Sequence, residues 1–96
     1  MKNINDIHVT GKIVQDPVIK AFDNGSLKRL RIAFPNPSRK IVNGYIDVTL
    51  WDNLGEIEVS KGDRVDILGE LEYREWVKDE KKHSDIEIRA NSITRI

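Results

Sequence analysis

The sequence predicts an all-β fold, a five-stranded barrel, and three observations predict it. Apolar residues recur with period two along most of the chain, the pattern of half-buried antiparallel strands. β-Branched residues gather in the same segments, where they suit a pleated surface. The segments are separated by turn residues, with one longer crossover after the third strand. Closing such a sheet on itself removes the free edges that a flat sheet of this size would leave open.

The elements follow in chain order. Ile7, Val9 and Ile13 alternate with His8, Thr10 and Lys12, in a long first strand that bends at Gly11 and runs toward Gln15-Asp16-Pro17. A second run, Val18 to Phe22, ends at Asp23-Asn24-Gly25-Ser26, whose Asn-Gly is a strong hairpin signal. On the returning strand Leu30, Ile32 and Phe34 form one face, with Arg29, Arg31 and Ala33 on the other. Pro35 to Gly44 holds two prolines and an Asn-Gly, so it reads as a long exposed hairpin loop whose only charges are basic. Ile46, Val48 and Leu50 give the next strand its core face and leave Tyr45, Asp47, Thr49 and Trp51 outside.

Asp52 to Ser60 is expected to form a short helix or irregular crossover between strands 3 and 4, before the turn Lys61-Gly62-Asp63. Val65, Ile67, Leu71 and Tyr73 are expected to point inward, with Arg74 and Trp76 outward. Lys78 to Asp85 reads as a charged hairpin tip, and Ile86, Ile88 and Ala90 alternate with Glu87 and Arg89 in the last strand. An OB-fold barrel fits this series best, with an SH3-like barrel or an open meander as the competitors.

A chain of 96 residues buries one modest core, so residues 1–96 read as one domain. With 39% hydrophobic and 33% charged residues, its composition is that of a soluble globular protein, and no apolar run approaches the ~20 residues that span a bilayer. Met1 to Asp6 does not open a secretory leader, which makes a cytoplasmic location the expectation. Zero cysteines exclude disulfides, thiolate metal sites and a cysteine nucleophile. His8 and His83 are far apart, without cysteine or closely spaced acids, so no metal or other cofactor is expected and both read as surface residues. No serine sits in a nucleophile elbow, and the acids after Asp47 read as solvated strand exteriors, so no enzyme activity is expected.

The net charge of zero conceals an asymmetry. Residues 1–44 carry 8 Lys or Arg against 3 Asp or Glu, whereas residues 45–96 carry 8 against 13. Such clustered bases are a footprint for a polyanion, or simply a solvated basic face. Tyr45, Trp51 and Trp76 fall on the non-core register, where each taken singly reads as a stacking ring or as a half-buried or subunit-interface residue. An exposed ring stacks on any base, and nearby guanidinium groups neutralise phosphates or stack as well. If the strands flanking the Pro35 to Gly44 loop pair, Arg29 and Arg31 share a face with Tyr45 and Trp51.

Several segments carry a resemblance to the DNA-binding domain of bacterial single-stranded DNA-binding proteins. They are the opening strand Asn5 to Pro17 with its Asp-Pro turn, Asp23-Asn24-Gly25 with Leu30 to Ala33, and Tyr45 to Trp51. The most specific is Lys61-Gly62-Asp63-Arg64-Val65 followed by Gly69 to Trp76. The resemblance implies an OB-fold that binds single-stranded DNA in replication, recombination or repair, assembled as a homo-oligomer, a tetramer or a dimer. It implies stacking by Tyr45, Trp51 and Trp76, with Arg31, Arg74, Arg39 and Lys40 as basic positions beside Arg29. Glu72 and Glu75 depart from the family's basic pattern near the terminal tryptophan, and the crossover is shorter than usual and lacks an aromatic. The chain ends with its last strand, so recruitment of replication or repair proteins through an acidic tail is not expected, as in a phage-type or replication-restart relative. The alternative is a protein-interaction OB module of a replication or primosome-restart complex that binds nucleic acid weakly.

Overall fold

A computed structural model describes residues 2–96; Met1 lies outside the described residues. Six strands alternate with short connections: β1 (Ile7–Ile13), β2 (Val18–Phe22), β3 (Gly25–Pro35), β4 (Asn43–Trp51), β5 (Arg64–Lys78) and β6 (Lys81–Arg95). The crossover between β4 and β5 contains one 3-10 helix, Asp52–Glu56. The sheet order β1-β5-β6-β4-β3 returns to β1 through a second β1–β3 pairing, which closes a ring of five strands. This order, with β4 parallel to β6 and the other pairs antiparallel, is that of an OB-fold. β2 stands outside the ring, paired with β3 alone. All five of its residues are exposed, so this second run of the sequence forms a strand without adding to the core.

The period-two apolar residues build the core. Ile13, Leu30, Ile32, Val48, Leu50, Val65, Ile67, Ile88, Ala90 and Ile93 form one buried cluster inside the ring. Ile7, Val9 and Ile46 pack against it from the strands, and Leu54, Ile57 and Val59 cap it from the crossover. β1 serves two neighbours: Ile7 to Lys12 pair with β5, while Lys12 and Ile13 pair with β3. Gly11 sits where it changes partner, and a Cβ there would lie 2.6 Å from the Ala33 carbonyl oxygen, so only glycine lets the strands approach.

Expectations for the β5–β6 hairpin need correction. Leu71 and Tyr73 are exposed rather than buried, and so is Ile86, because the β5–β6 hairpin outgrows the barrel. The hairpin tip is shorter than Lys78 to Asp85. Asp79 and Glu80, both with positive φ, make a two-residue turn that pairs Lys78 with Lys81 and keeps Lys82 to Asp85 in the ladder. A register irregularity at Leu68/Gly69 leaves Asn91 as an extra residue, so the core parity of β6 changes from Ile88 and Ala90 to Ile93.

Candidate nucleic-acid interface

The outward register of β3, β4, β6 and β5 makes one continuous face. On β3 and β4, Ala33 pairs with Tyr45, Arg31 with Asp47, Arg29 with Thr49 and Leu27 with Trp51. On β5 and β6, Glu70 pairs with Arg89, Glu72 with Glu87, Arg74 with Asp85 and Trp76 with His83. β6 runs parallel to β4 from Val48↔Ile88, so the β5–β6 tip extends toward the same end of the sheet as the β3–β4 loop. Tyr45 and Trp76 therefore lie toward that end, and Trp51 toward the other.

Each aromatic has an arginine of its own. The Arg31 guanidinium carbon lies 5.9 Å from the Tyr45 ring centroid, Arg74 5.7 Å from Trp76, and Arg89 5.3 Å from Trp51. Two further rings enlarge the surface. Phe22 stacks on Trp51 at 6.1 Å and 21° between planes, and His83 stacks on Trp76 at 5.6 Å and 18°. Tyr45 is 54% exposed and Trp76 42%, so both present area to solvent, while Trp51 is half-buried.

The arginines are not bare charges. Arg31 Nη1 donates to Asp47 Oδ1 at 3.0 Å. Arg29 and Arg74 reach Glu87 Oε2 at 3.4 and 3.5 Å, Arg74 also lies 3.9 Å from Asp85, and Arg89 lies 3.7 Å from Glu72. Four arginines are thus set against four carboxylates on one face. Glu87 contradicts the expectation of a solvated acid: it is 3% exposed. Burial pushes its carboxyl above the usual carboxylate range, and the charges of Arg29 and Arg74 oppose that rise. Thr49, also buried, donates its hydroxyl to the Ile88 carbonyl at 3.4 Å.

Of the residues singled out in the sequence, Tyr45, Trp51, Trp76, Arg29, Arg31 and Arg74 lie together on this face. Arg39 and Lys40 do not; they are exposed on the loop beyond its Tyr45 end, with no ion pair among the described residues. That loop is braced: the Ser38 hydroxyl accepts from the backbone of Lys40 and Ile41, and the Asn36 side chain donates to the Ile41 carbonyl at 2.6 Å. The sequence reading missed Phe22, His83, Glu87 and Arg89. The Asn-Gly turn held a clue to Phe22. The other three depend on the β4–β6 pairing and on the length of the β5–β6 ladder, which are set by distant segments. His8, at the barrel wall, shares Asp66 with Thr10, and no group of three or more metal-ligating side chains occurs among the described residues.

Such a face can stack planar rings while setting cations between them. A family model described as the single-strand binding protein family matches residues 4–96. The chain belongs to that family. Among relatives in it, the single-stranded DNA-binding protein 1 of Nostoc sp. (strain PCC 7120) is 32% identical over 78 residues, covering 77% of this chain and 66% of that protein. The single-stranded DNA-binding protein of Treponema pallidum (strain Nichols) is 27% identical over 103 residues, covering 97% of this chain and 58% of its own length. The chain thus spans about two thirds or less of the length of these curated relatives. A structure of the Plasmodium falciparum SSB complex with ssDNA superposes with a TM-score of 0.84 at 18% identity, over 100% of this chain and 97% of that one, and so shares the fold. No helix among the described residues is long and apolar enough to cross a membrane.

Proposed function

We propose that residues 1–96 act as one domain that binds single-stranded DNA without reading its sequence. Bases stack on Tyr45, Trp51 and Trp76, while Arg29, Arg31 and Arg74 meet the phosphates, with Arg39 and Lys40 extending that contact along the loop. The observation that carries this reading is the pairing of each of three outward aromatics with its own arginine, at 5.3 to 5.9 Å, on one sheet face. Membership of the single-strand binding protein family supports it, as do relatives named single-stranded DNA-binding proteins. Stacking is tolerant of base identity because every base has a π-face. The place of action is the cytoplasm, in DNA replication, recombination or repair. We also propose a homo-oligomer, supported by the exposed apolar side chains of Leu71, Tyr73 and Ile86 on the uncovered side of the β5–β6 hairpin.

The test is quenching of intrinsic tryptophan fluorescence by oligo-dT at low and then high salt, because Trp51 and Trp76 are the chain's two tryptophans. Quenching that salt reverses supports stacking beside a phosphate-neutralising surface. One observation favours a second reading, a docking face for a replication or restart protein: the arginines are already matched by acids. A folded sample that oligo-dT does not quench would put that reading first.

A further inference from the structure

At the middle of the face lies a titratable group that stacking and phosphate contact leave unused. The Glu87 carboxylate of β6 is buried between Arg29 of β3 and Arg74 of β5. Neither contact is a hydrogen bond. Glu87 Oε2 and the Nε atoms of both arginines are buried without any hydrogen-bond partner, so both guanidinium groups keep donors unspent. The other charged groups around Glu87 are Asp47 on β4 and Glu72 directly across on β5, which are matched by Arg31 and Arg89, and Asp85 two residues away on β6, which reaches Arg74. One carboxylate among four thus holds, loosely, two cations that a phosphate would hold better, since phosphate takes charge-assisted hydrogen bonds from a guanidinium fork.

We propose that Glu87 is an internal competitor for the phosphate backbone, and that DNA taking Arg29 and Arg74 from it drives a proton from solvent onto its carboxyl. The proposal rests on the single-strand reading above and names what governs affinity at that site. In the free protein burial disfavours the charged carboxylate of Glu87, and the two guanidinium charges oppose that effect. Phosphates engage those charges and add negative potential of their own, so the carboxyl binds its proton more tightly in the complex. By linkage, a group whose pKa rises on binding takes up a proton, and affinity falls as pH rises through its raised range.

The experiment is titration with oligo-dT from about pH 8 down into the acid range, where thymine takes up no proton. The parent chain is expected to gain affinity on the order of tenfold as pH falls. Glu87→Gln keeps the shape and removes the charge, so it is expected to bind more tightly than the parent at the upper pH and to lose most of that pH dependence. Its log affinity against log salt should also steepen by about 0.7, one more phosphate neutralised on a single strand. Comparing Glu87→Gln with the parent subtracts whatever the rest of the face contributes. A Glu87→Gln chain with the parent's pH profile and salt slope would overturn the proposal while leaving single-strand binding intact. Absence of binding by the parent at every pH would overturn the single-strand reading and this proposal with it. Should Glu87→Gln not fold, calorimetry of the His83→Gln chain in buffers of different ionisation enthalpy decides: proton uptake on binding supports the competitor role, and none overturns it.

Discussion

Trp76 on β5 and His83 on β6 are cross-strand partners whose rings lie 5.6 Å apart and within 18° of parallel. The imidazole backs one ring of the face, while Arg74 approaches the same ring at 5.7 Å. Trp76→Ala removes a stacking surface worth about 1 to 3 kcal/mol, so affinity for oligo-dT should fall roughly 5- to 150-fold. Trp76 stands outside the buried core, and the thermal midpoint should barely move. His83→Ala should weaken binding less, because it loosens the ring without removing it. Fluorescence anisotropy of a labelled oligonucleotide reads both variants, including the one that lacks Trp76.

At the far end of the sheet, Trp51 lies between the same kinds of neighbour, with Phe22 stacked at 6.1 Å and Arg89 at 5.3 Å. Trp51→Ala should cost a similar factor in affinity. Phe22→Ala should cost a smaller one, since its ring supports Trp51 from a strand that only β3 holds. Equal affinity in Trp51→Ala and the parent chain would remove this end of the face from the site.

Arg31 and Arg74 differ from the tryptophans in what their loss should change. Arg31→Ala and Arg74→Ala should each flatten log affinity against log salt by about 0.7, one phosphate contact on a single strand. The effect should be the same on oligo-dT and on mixed-sequence DNA. Titrations at three or more salt concentrations check it. A slope unchanged in both variants would mean that Asp47, and Glu87 with Asp85, keep these side chains from the DNA.

The barrel was legible because its signals are local. Leu30 with Ile32, and Val48 with Leu50, alternate with polar residues over a few positions, and their pairing needs only the intervening loop. Arg29, Arg31, Tyr45 and Trp51 shared a face for the same reason. The centre of the site was not legible. Glu87 and Arg89 reach that face through a parallel pairing of β4 and β6 only two residue pairs long, between segments 40 residues apart in sequence. Leu71 and Tyr73 continue the inward register faithfully, but the sequence does not mark where the barrel stops covering them. The hairpin tip was misjudged because Asp79 and Glu80 adopt left-handed backbone, which their side chains do not advertise.

That tip offers a stability test. Asp79 has φ 54° and Glu80 φ 63°, the conformation in which Asn-Gly is favoured. Glu80→Gly should therefore stabilise the hairpin by up to about 1 kcal/mol, read as a raised thermal midpoint. The reverse applies at Gly11, where Gly11→Ala drives a Cβ against the Ala33 carbonyl and should cost about 1 to 3 kcal/mol.

Asp66 sets a pH dependence of stability apart from the face. Hydrogen bonds from His8 at 2.7 Å and Thr10 at 3.0 Å hold its carboxyl below the ordinary carboxylate value, against a smaller opposing effect of burial. A carboxyl depressed on folding stabilises fully above its unfolded pKa of about 4, and that contribution disappears as pH falls through the folded value. Asp66→Asn should lower the thermal midpoint near neutrality and make its acid limb shallower. Parallel melting curves from neutral to strongly acid pH check both effects.

The ring is fastened unevenly. β5 and β6 share fourteen residue pairs, whereas the β4–β6 and β1–β3 seams have two each. Backbone amides at these clasps should exchange with solvent before those of the long hairpin. A molecule sprung at either clasp becomes a curved ribbon with two raw borders, and the strand that mends it need not be its own. Heating or crowding this chain should therefore yield exchanged pairs, each barrel sealed by a strand lent from its neighbour.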